Sequence, residues 1–175
     1  FAPSNVELPR NDVPCLLIAL GTGIGSAHSI LQHRLAAKQA GKFVAPTHLF
    51  YGFRHKTKDC FCESEFAALG RAGGVTTTYV ASHDGAKFES PMDRLDASVV
   101  DFLGANGEVA YCGLGGSVPL IVENSLRRCG VDVAALRKAK RYHEEFFTTD
   151  LDTENLFKAG AVDEKATTLA TRMGK

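Results

Sequence analysis

The chain has 175 residues, of which 45% are hydrophobic, and its 20 basic residues balance 20 acidic ones. That length and apolar content suit one domain with a full core, and the zero net charge argues against a nucleic-acid binder, which carries a basic excess. No apolar run approaches the roughly 20 residues that span a bilayer, so no membrane contact is expected from this segment. No signal-peptide pattern opens the chain. It starts on Phe1 without a Met, which leaves open an origin within a longer protein.

Residues 1–13 hold two prolines, with Pro14 just beyond, and little periodicity, and read as an inter-domain lead-in. The unbroken apolar run at about 14–20 predicts a buried strand. Helical spacing follows from about 24 to 40, with Gly41 placed to end the helix. A second apolar and aromatic run covers about 43–53, and the polar segment Arg54-His55-Lys56-Thr57-Lys58 comes next. Asp59 is placed to cap a helix carrying Phe61, Phe66 and Leu69 and ending near Gly70. Val75 to Ala81 predicts a third strand, followed by a loop with Asp84-Gly85. Met92 to Leu103 has helical spacing, Gly107 to Cys112 reads as a fourth strand, and Ser117 to Cys129 as a helix. A further helix is expected from Val131 to about Arg141, and a last short strand over Glu145 to Thr149. Strands alternating with helices imply βαβ units and a parallel sheet with helices on both faces.

In such a sheet ligands sit at the carboxyl ends of the strands. Four loops fall there: Gly21–Ser26, Gly52–Lys58, Ser82–Phe88 and Cys112–Ser117. Gly21-Thr22-Gly23-Ile24-Gly25 delivers a strand to a helix N-terminus, a device that holds phosphate. It lacks the Gly-Lys-Ser/Thr of a Walker loop, and Ser26 stands where the dinucleotide fingerprint has its third Gly. A tight turn without a ligand is the alternative for the pattern taken alone. Clustered Arg54, His55, Lys56 and Lys58 suit a phosphate through charge-assisted hydrogen bonds, or else a solvated basic turn. Cys112-Gly113-Leu114-Gly115-Gly116-Ser117 repeats the strand–glycine–helix plan. Cys112 has no evident His partner as a nucleophile, and reads better as a small polarisable side chain beside a flat ring. The other cysteines are Cys15, Cys60, Cys62 and Cys129. An odd total of five fits a reducing compartment, hence the cytoplasm or the cytoplasmic face of a membrane. Cys60-Phe61-Cys62 with His55 falls short of the four ligands of a closed zinc site, and no metal is expected. His28, His33, His48 and His143 read as surface or packing residues.

The loops, in this order, resemble the nucleotide-binding half of the ferredoxin–NADP reductase superfamily, and more closely its diflavin branch. Ser4-Asn5-Val6-Glu7-Leu8-Pro9 resembles the junction S-x-F-R-L-P, and Gly21-Thr22-Gly23-Ile24 with Gln32-His33-Arg34 resembles G-T-G-I/V-A-P-F followed by Q-x-R. Leu49-Phe50-Tyr51-Gly52-Phe53-Arg54 resembles L-F/Y-F/Y-G-C-R, continued by Asp59 and Glu65-Phe66. Val109-Ala110-Tyr111-Cys112-Gly113 resembles I/V-Y-V-C-G, and Arg141-Tyr142-His143-Glu144-Glu145-Phe146-Phe147 resembles the terminal R-Y-x-x-D-V-aromatic. The resemblance implies a Rossmann-like doubly wound α/β fold, with a parallel five-stranded sheet of order 3-2-1-4-5 over residues 14–147. Residues 148–175 form an extension, expected to be helical.

The resemblance also implies an enzyme role, within a larger NADPH-dependent flavin oxidoreductase. Gly21, Thr22 and Gly23 would hold the pyrophosphate. Arg54, Ser82, His83 and Lys87 would hold the adenosine end and its 2′-phosphate. Cys112, followed by Gly113, would lie near the nicotinamide as hydride passes to a flavin. Glu145 would stand where the family has Asp, and Phe147 would stack on the flavin ring. The implied cofactors are NADP, with NAD as the alternative, FAD on a domain absent from this chain, and FMN on a further domain. The partners would be the FAD domain and a haem or other electron-acceptor protein. Departures bear on these roles: Ser82-His83 replaces the family's Ser-Arg, Lys87-Phe88 its Lys-x-Tyr, and Leu114 the acid after Cys-Gly. No flavin-barrel motif occurs, so the fragment alone is not expected to turn over. A simpler NADH- or ferredoxin-type reductase and a non-catalytic nucleotide-binding module are the alternatives.

Overall fold

The computed structural model describes residues 8–72, 74–83 and 90–147, with only the backbone of Phe146 and Phe147. The lead-in residues before Leu8, Asp84 to Lys87 and Phe88, and the extension 148–175 lie outside the described residues.

The strands are β1 (Cys15–Leu20), β2 (Thr47–Phe53), β3 (Val75–Ala81), β4 (Glu108–Leu114) and β5 (Tyr142–Phe147). They form one parallel sheet ordered β3-β2-β1-β4-β5, the order the resemblance implies. The apolar run of β1 buries both faces, as a central strand of a parallel sheet must.

Alternation divides the core in two. Leu16, Ile18, Phe50, Val109 and Tyr111 face one side. There they meet Val99 and Leu103 of α4 (Ser98–Leu103), Val122 and Leu126 of α5 (Val118–Arg128), and Val133 and Leu136 of α6 (Val133–Lys138). Cys15, Leu17, Ala19, Leu49, Tyr51, Ala110 and Cys112 face the other side. They pack on Ile24, Ala27, Ile30 and Leu31 of α1 (Ile24–Gln39) and on Phe66 and Leu69 of α3 (Glu63–Ala72). Side chains with a period of two thus supply both layers of a doubly wound fold.

Several local expectations are corrected. Asp59 does not cap the helix after it. It ends a separate short helix, α2 (Lys56–Asp59), and its carboxylate accepts the His55 amide at 2.9 Å. Phe61 lies outside α3 and is half exposed, because the chain breaks at Cys60–Cys62, where Cys62 has φ 61°. The helix expected over Met92 to Leu103 is split into a 3-10 turn, Pro91–Arg94, and α4. Leu95 between them is extended, and the Asp96 carboxylate accepts the amide and hydroxyl of Ser98. β2 begins at Thr47 rather than 43, and β5 begins at Tyr142 rather than Glu145. α6 starts after Asp132, whose carboxylate accepts the Ala135 amide.

Buried ionic groups hold the amino ends of the strands. The Arg34 guanidinium, 2% exposed, donates to the carbonyls of Arg10, Asn11, Val13 and Ala45. It ties α1 to the approaches of β1 and β2. Glu108, at the start of β4, accepts the Arg10 amide at 2.9 Å and Arg10 Nε at 2.6 Å, while His143 Nε2 lies 3.0 Å from it. Of the other histidines read as surface or packing residues, His33 is exposed, His28 meets Phe66 edge-on and His48 meets Phe102.

Burial pushes the Glu108 carboxyl up, but the hydrogen bonds from Arg10 and His143 outweigh it and hold it below the usual carboxylate range. A carboxyl depressed by folding contributes stability that is complete above its unfolded value and is lost as pH falls through its folded value. The urea midpoint of the chain should therefore drop steeply as pH falls below about 4.3. Glu108→Gln should flatten that drop; an unchanged slope would assign the acid sensitivity to other carboxylates.

Candidate functional site

Three strand-to-helix or strand-to-loop junctions converge at the carboxyl edge of the sheet. At the first, Gly21–Gly23 forms a 3-10 turn between β1 and α1, and Gly21 takes φ +57°, a region open to glycine without strain. A Cβ on Gly23 would lie 2.1 Å from the Cys112 carbonyl oxygen and 2.7 Å from the Gly113 nitrogen. Those are backbone atoms of β4, so only glycine lets the β1 turn rest there. Gly25 differs: a Cβ there would meet nothing within 4 Å. No side chain caps the α1 N-terminus, and no acid occupies its first turn. The first amides of a helix lack intrahelical acceptors and carry the positive end of its dipole, which suits an anion.

The second junction joins the ends of β2 and β3. The β2–β3 ladder runs on past both strands, with the Ser82 amide donating to Phe53 at 2.8 Å and the His83 amide to Arg54 at 2.9 Å. This sets the rings of His55 and His83 5.2 Å apart, and places Ser82 Oγ 3.1 Å from His83 Nδ1. Arg54 is exposed beside them, and so are Lys56 and Lys58 of α2. Arg54, Ser82 and His83 are thus brought together as expected. The ring pair with His55 was not legible, because it depends on the register of β2 against β3. Lys87 lies outside the described residues. The Tyr51 hydroxyl braces the base of this cluster, donating to the Asp59 carbonyl at 2.8 Å and accepting the Phe61 amide at 3.3 Å.

At the third junction Cys112 is 1% exposed and lies in the α1-side core with Cys15 and Ala19. Burial, then the charge of Glu145, pushes its thiol up to about 12, so it stays protonated and is not a nucleophile at neutral pH. Glu145 is its register partner on β5, and Phe147 is the partner of Leu114. The side chain of Phe147 lies outside the described residues. A Cβ on Gly113 would meet the Tyr111 hydroxyl at 2.6 Å, and that hydroxyl donates to the Leu114 carbonyl at 2.6 Å. Glycine at 52 has a similar cause, since a Cβ would meet Leu20 at 2.6 Å and Pro91 at 2.8 Å. No helix among the described residues is long and apolar enough to cross a membrane.

An uncapped helix start and a cationic cluster at the carboxyl ends of a parallel sheet are the arrangement of a nucleotide-binding domain. The family described as Oxidoreductase NAD-binding domain matches residues 17–118, and the chain belongs to it. Curated relatives lie on the diflavin branch that the motifs resemble. The bifunctional cytochrome P-450/NADPH–P-450 reductase of Bacillus cereus is 29% identical over 70% of this chain and 12% of its own length. NADPH–cytochrome P-450 reductase of Homo sapiens is 33% identical over 45% of this chain and 12% of its own length. NADPH-dependent diflavin oxidoreductase 1 of Mus musculus is 28% identical over 47% and 13%. The chain thus spans about an eighth of these relatives.

Gly23→Ala should cost about 1–3 kcal/mol in urea unfolding, since backbone must move to admit the methyl. Gly25→Ala should be neutral or stabilising, by up to about 1 kcal/mol, as alanine suits an exposed helical position. Equal costs at the two sites would refute the contact with β4.

Proposed function

We propose that this chain is the pyridine-nucleotide domain of a larger flavoprotein oxidoreductase, and that it presents NADPH for hydride transfer. The observation that carries the reading is the pairing of Gly21–Gly25 at the α1 N-terminus with the Arg54, His55, Ser82 and His83 cluster one strand away. A pyrophosphate fits the first and a ribose 2′-phosphate the second. Gly25 supports the fit, because the fold does not demand glycine there and a closely approaching phosphate would.

When bound, NADPH would supply a hydride for FAD on another domain, for onward transfer to FMN or a haem protein. The residues of this chain bind and orient. Amides at Gly21, Thr22 and Gly23 hold the diphosphate, while Arg54 with the two histidines holds the adenosine end. Cys112 stays neutral, and its small buried side chain shapes the floor beneath the strand end where the nicotinamide would lie. Glu145 beside it orients or exchanges a proton, and Phe147 would cover the flavin face. The NADPH–cytochrome P-450 reductases among the relatives support a haem protein as the final acceptor. Five free cysteines fit the cytoplasm or the cytoplasmic face of a membrane. The replacement of the family's Arg by His83 favours NADH as the second reading.

The 2′-phosphate decides between them. The chain should bind 2′,5′-ADP at least about tenfold more tightly than 5′-AMP in calorimetry, and Arg54→Ala should narrow the gap. Equal affinities would assign the site to NADH. In the full-length protein, Cys112→Ala should slow flavin reduction about tenfold in stopped flow while NADP⁺ affinity changes less than about twofold. An unchanged rate would leave Cys112 a packing residue.

A further inference from the structure

Five thiols divide sharply by environment. Cys15, Cys112 and Cys129 are buried. Cys60 is half-buried and Cys62 exposed, with only Phe61 between them, in the break between α2 and α3. Consecutive Cα atoms are about 3.8 Å apart, so two residues separated by one need only a slight bend to enter the disulfide range of about 4.4–6.8 Å. The break is already bent, with Cys60 at φ −84° and ψ 91° and Cys62 at φ 61°. A cysteine in the left-handed region is strained, so this turn has a more relaxed arrangement to move toward. Burial raises the Cys60 thiol, Glu63 adds to this while Lys56 opposes it, and Cys62 is near enough to contribute.

The break is also wired to the nucleotide cluster. The Tyr51 hydroxyl grips both neighbours of Cys60, the Asp59 carbonyl and the Phe61 amide. The Asp59 carboxylate holds the His55 amide, and the His55 ring lies against His83.

We propose that Cys60 and Cys62 are a reversible dithiol–disulfide modification site, and that closing the disulfide loosens the Arg54–Asp59 segment. The oxidant is a small disulfide of the glutathione class. The exposed Cys62 thiolate attacks one of its sulfurs and releases the first glutathione thiolate. The Cys60 thiolate then attacks the sulfur of Cys62 and releases the second. Two electrons pass to the oxidant, and both cysteine protons end on the released thiols. A ring closed across one residue is constrained and exposed, the kind of disulfide that small thiols readily reduce. Lys56 and Lys58 beside it favour an anionic oxidant. The consequence for binding rests on the nucleotide reading above, whereas the disulfide and the loosening do not.

The whole chain would be treated with oxidised glutathione, alkylated and mapped by mass spectrometry, with hydrogen exchange followed over 54–59. The peptide carrying Cys60 and Cys62 should lose two hydrogens and resist alkylation, while Cys15, Cys112 and Cys129 stay reduced, and dithiothreitol should reverse the change. Exchange over 54–59 should quicken about tenfold on oxidation. 2′,5′-ADP binding should weaken about fivefold to tenfold. Cys62→Ser should abolish all three responses. A pair that stays reduced, a stable glutathione adduct, or a disulfide that leaves exchange unchanged would overturn the proposal. Reduced protein that binds no 2′,5′-ADP would count against the nucleotide reading, with the disulfide still decided by mass and exchange.

Discussion

Gly23 has no room for a side chain, since its Cβ would fall 2.1 Å from the Cys112 carbonyl oxygen. Much of the upper edge follows from that approach. It seats the turn before α1 against the end of β4, so the uncapped helix start and the Cys112–Gly113 segment lie side by side. The Cys112 side chain points into the core on the α1 side, where burial keeps the thiol protonated and chemically quiet. The glycines around it have different physical causes. Gly21 meets a backbone demand, Gly23 a contact demand, and Gly25 neither.

The two edges of the sheet are built on opposite principles. At the amino edge, Arg34 and Glu108 are buried, Arg34 donating to backbone carbonyls and Glu108 accepting from Arg10 beside His143. A buried charge left without partners costs several kcal/mol, so these groups fix the approaches to β1, β2 and β4. At the carboxyl edge the cations are exposed, and the loops are glycine-rich. Rigid support below and available charge above is the division expected of a site that must bind a polyanion without deforming its core.

The cluster of Arg54, His55, Ser82 and His83 is an extension of the sheet itself. Two further backbone hydrogen bonds past β2 and β3 are enough to set Ser82 and His83 against Arg54 and His55. Tyr51 and Asp59 then brace His55 from below. A disturbance at Cys60–Cys62 therefore has a short route, through Asp59 and His55, to Ser82 and His83.

The sequence by itself determined the α/β class and placed β1, α1 and β3 within a residue or so, because apolar runs, helical spacing and β-branched content are local signals. Its motifs also carried the family, and with it the strand order. It placed Arg54, Ser82 and His83 at strand ends, where the structure brings them together. It did not foresee α2, the interruption at Leu95–Ala97, or the late start of β2. At the first two, hydrogen bonds from backbone amides to the Asp59 and Asp96 carboxylates compete with hydrophobic periodicity. Only the tertiary structure decided why Gly23 and Gly52 must be glycine, why Arg34 is buried, and how Arg10 meets Glu108 across 98 residues. Those outcomes depend on which distant backbone atoms come within van der Waals or hydrogen-bonding reach. Local composition and spacing do not carry that distance, and it exists only once the sheet has closed its register.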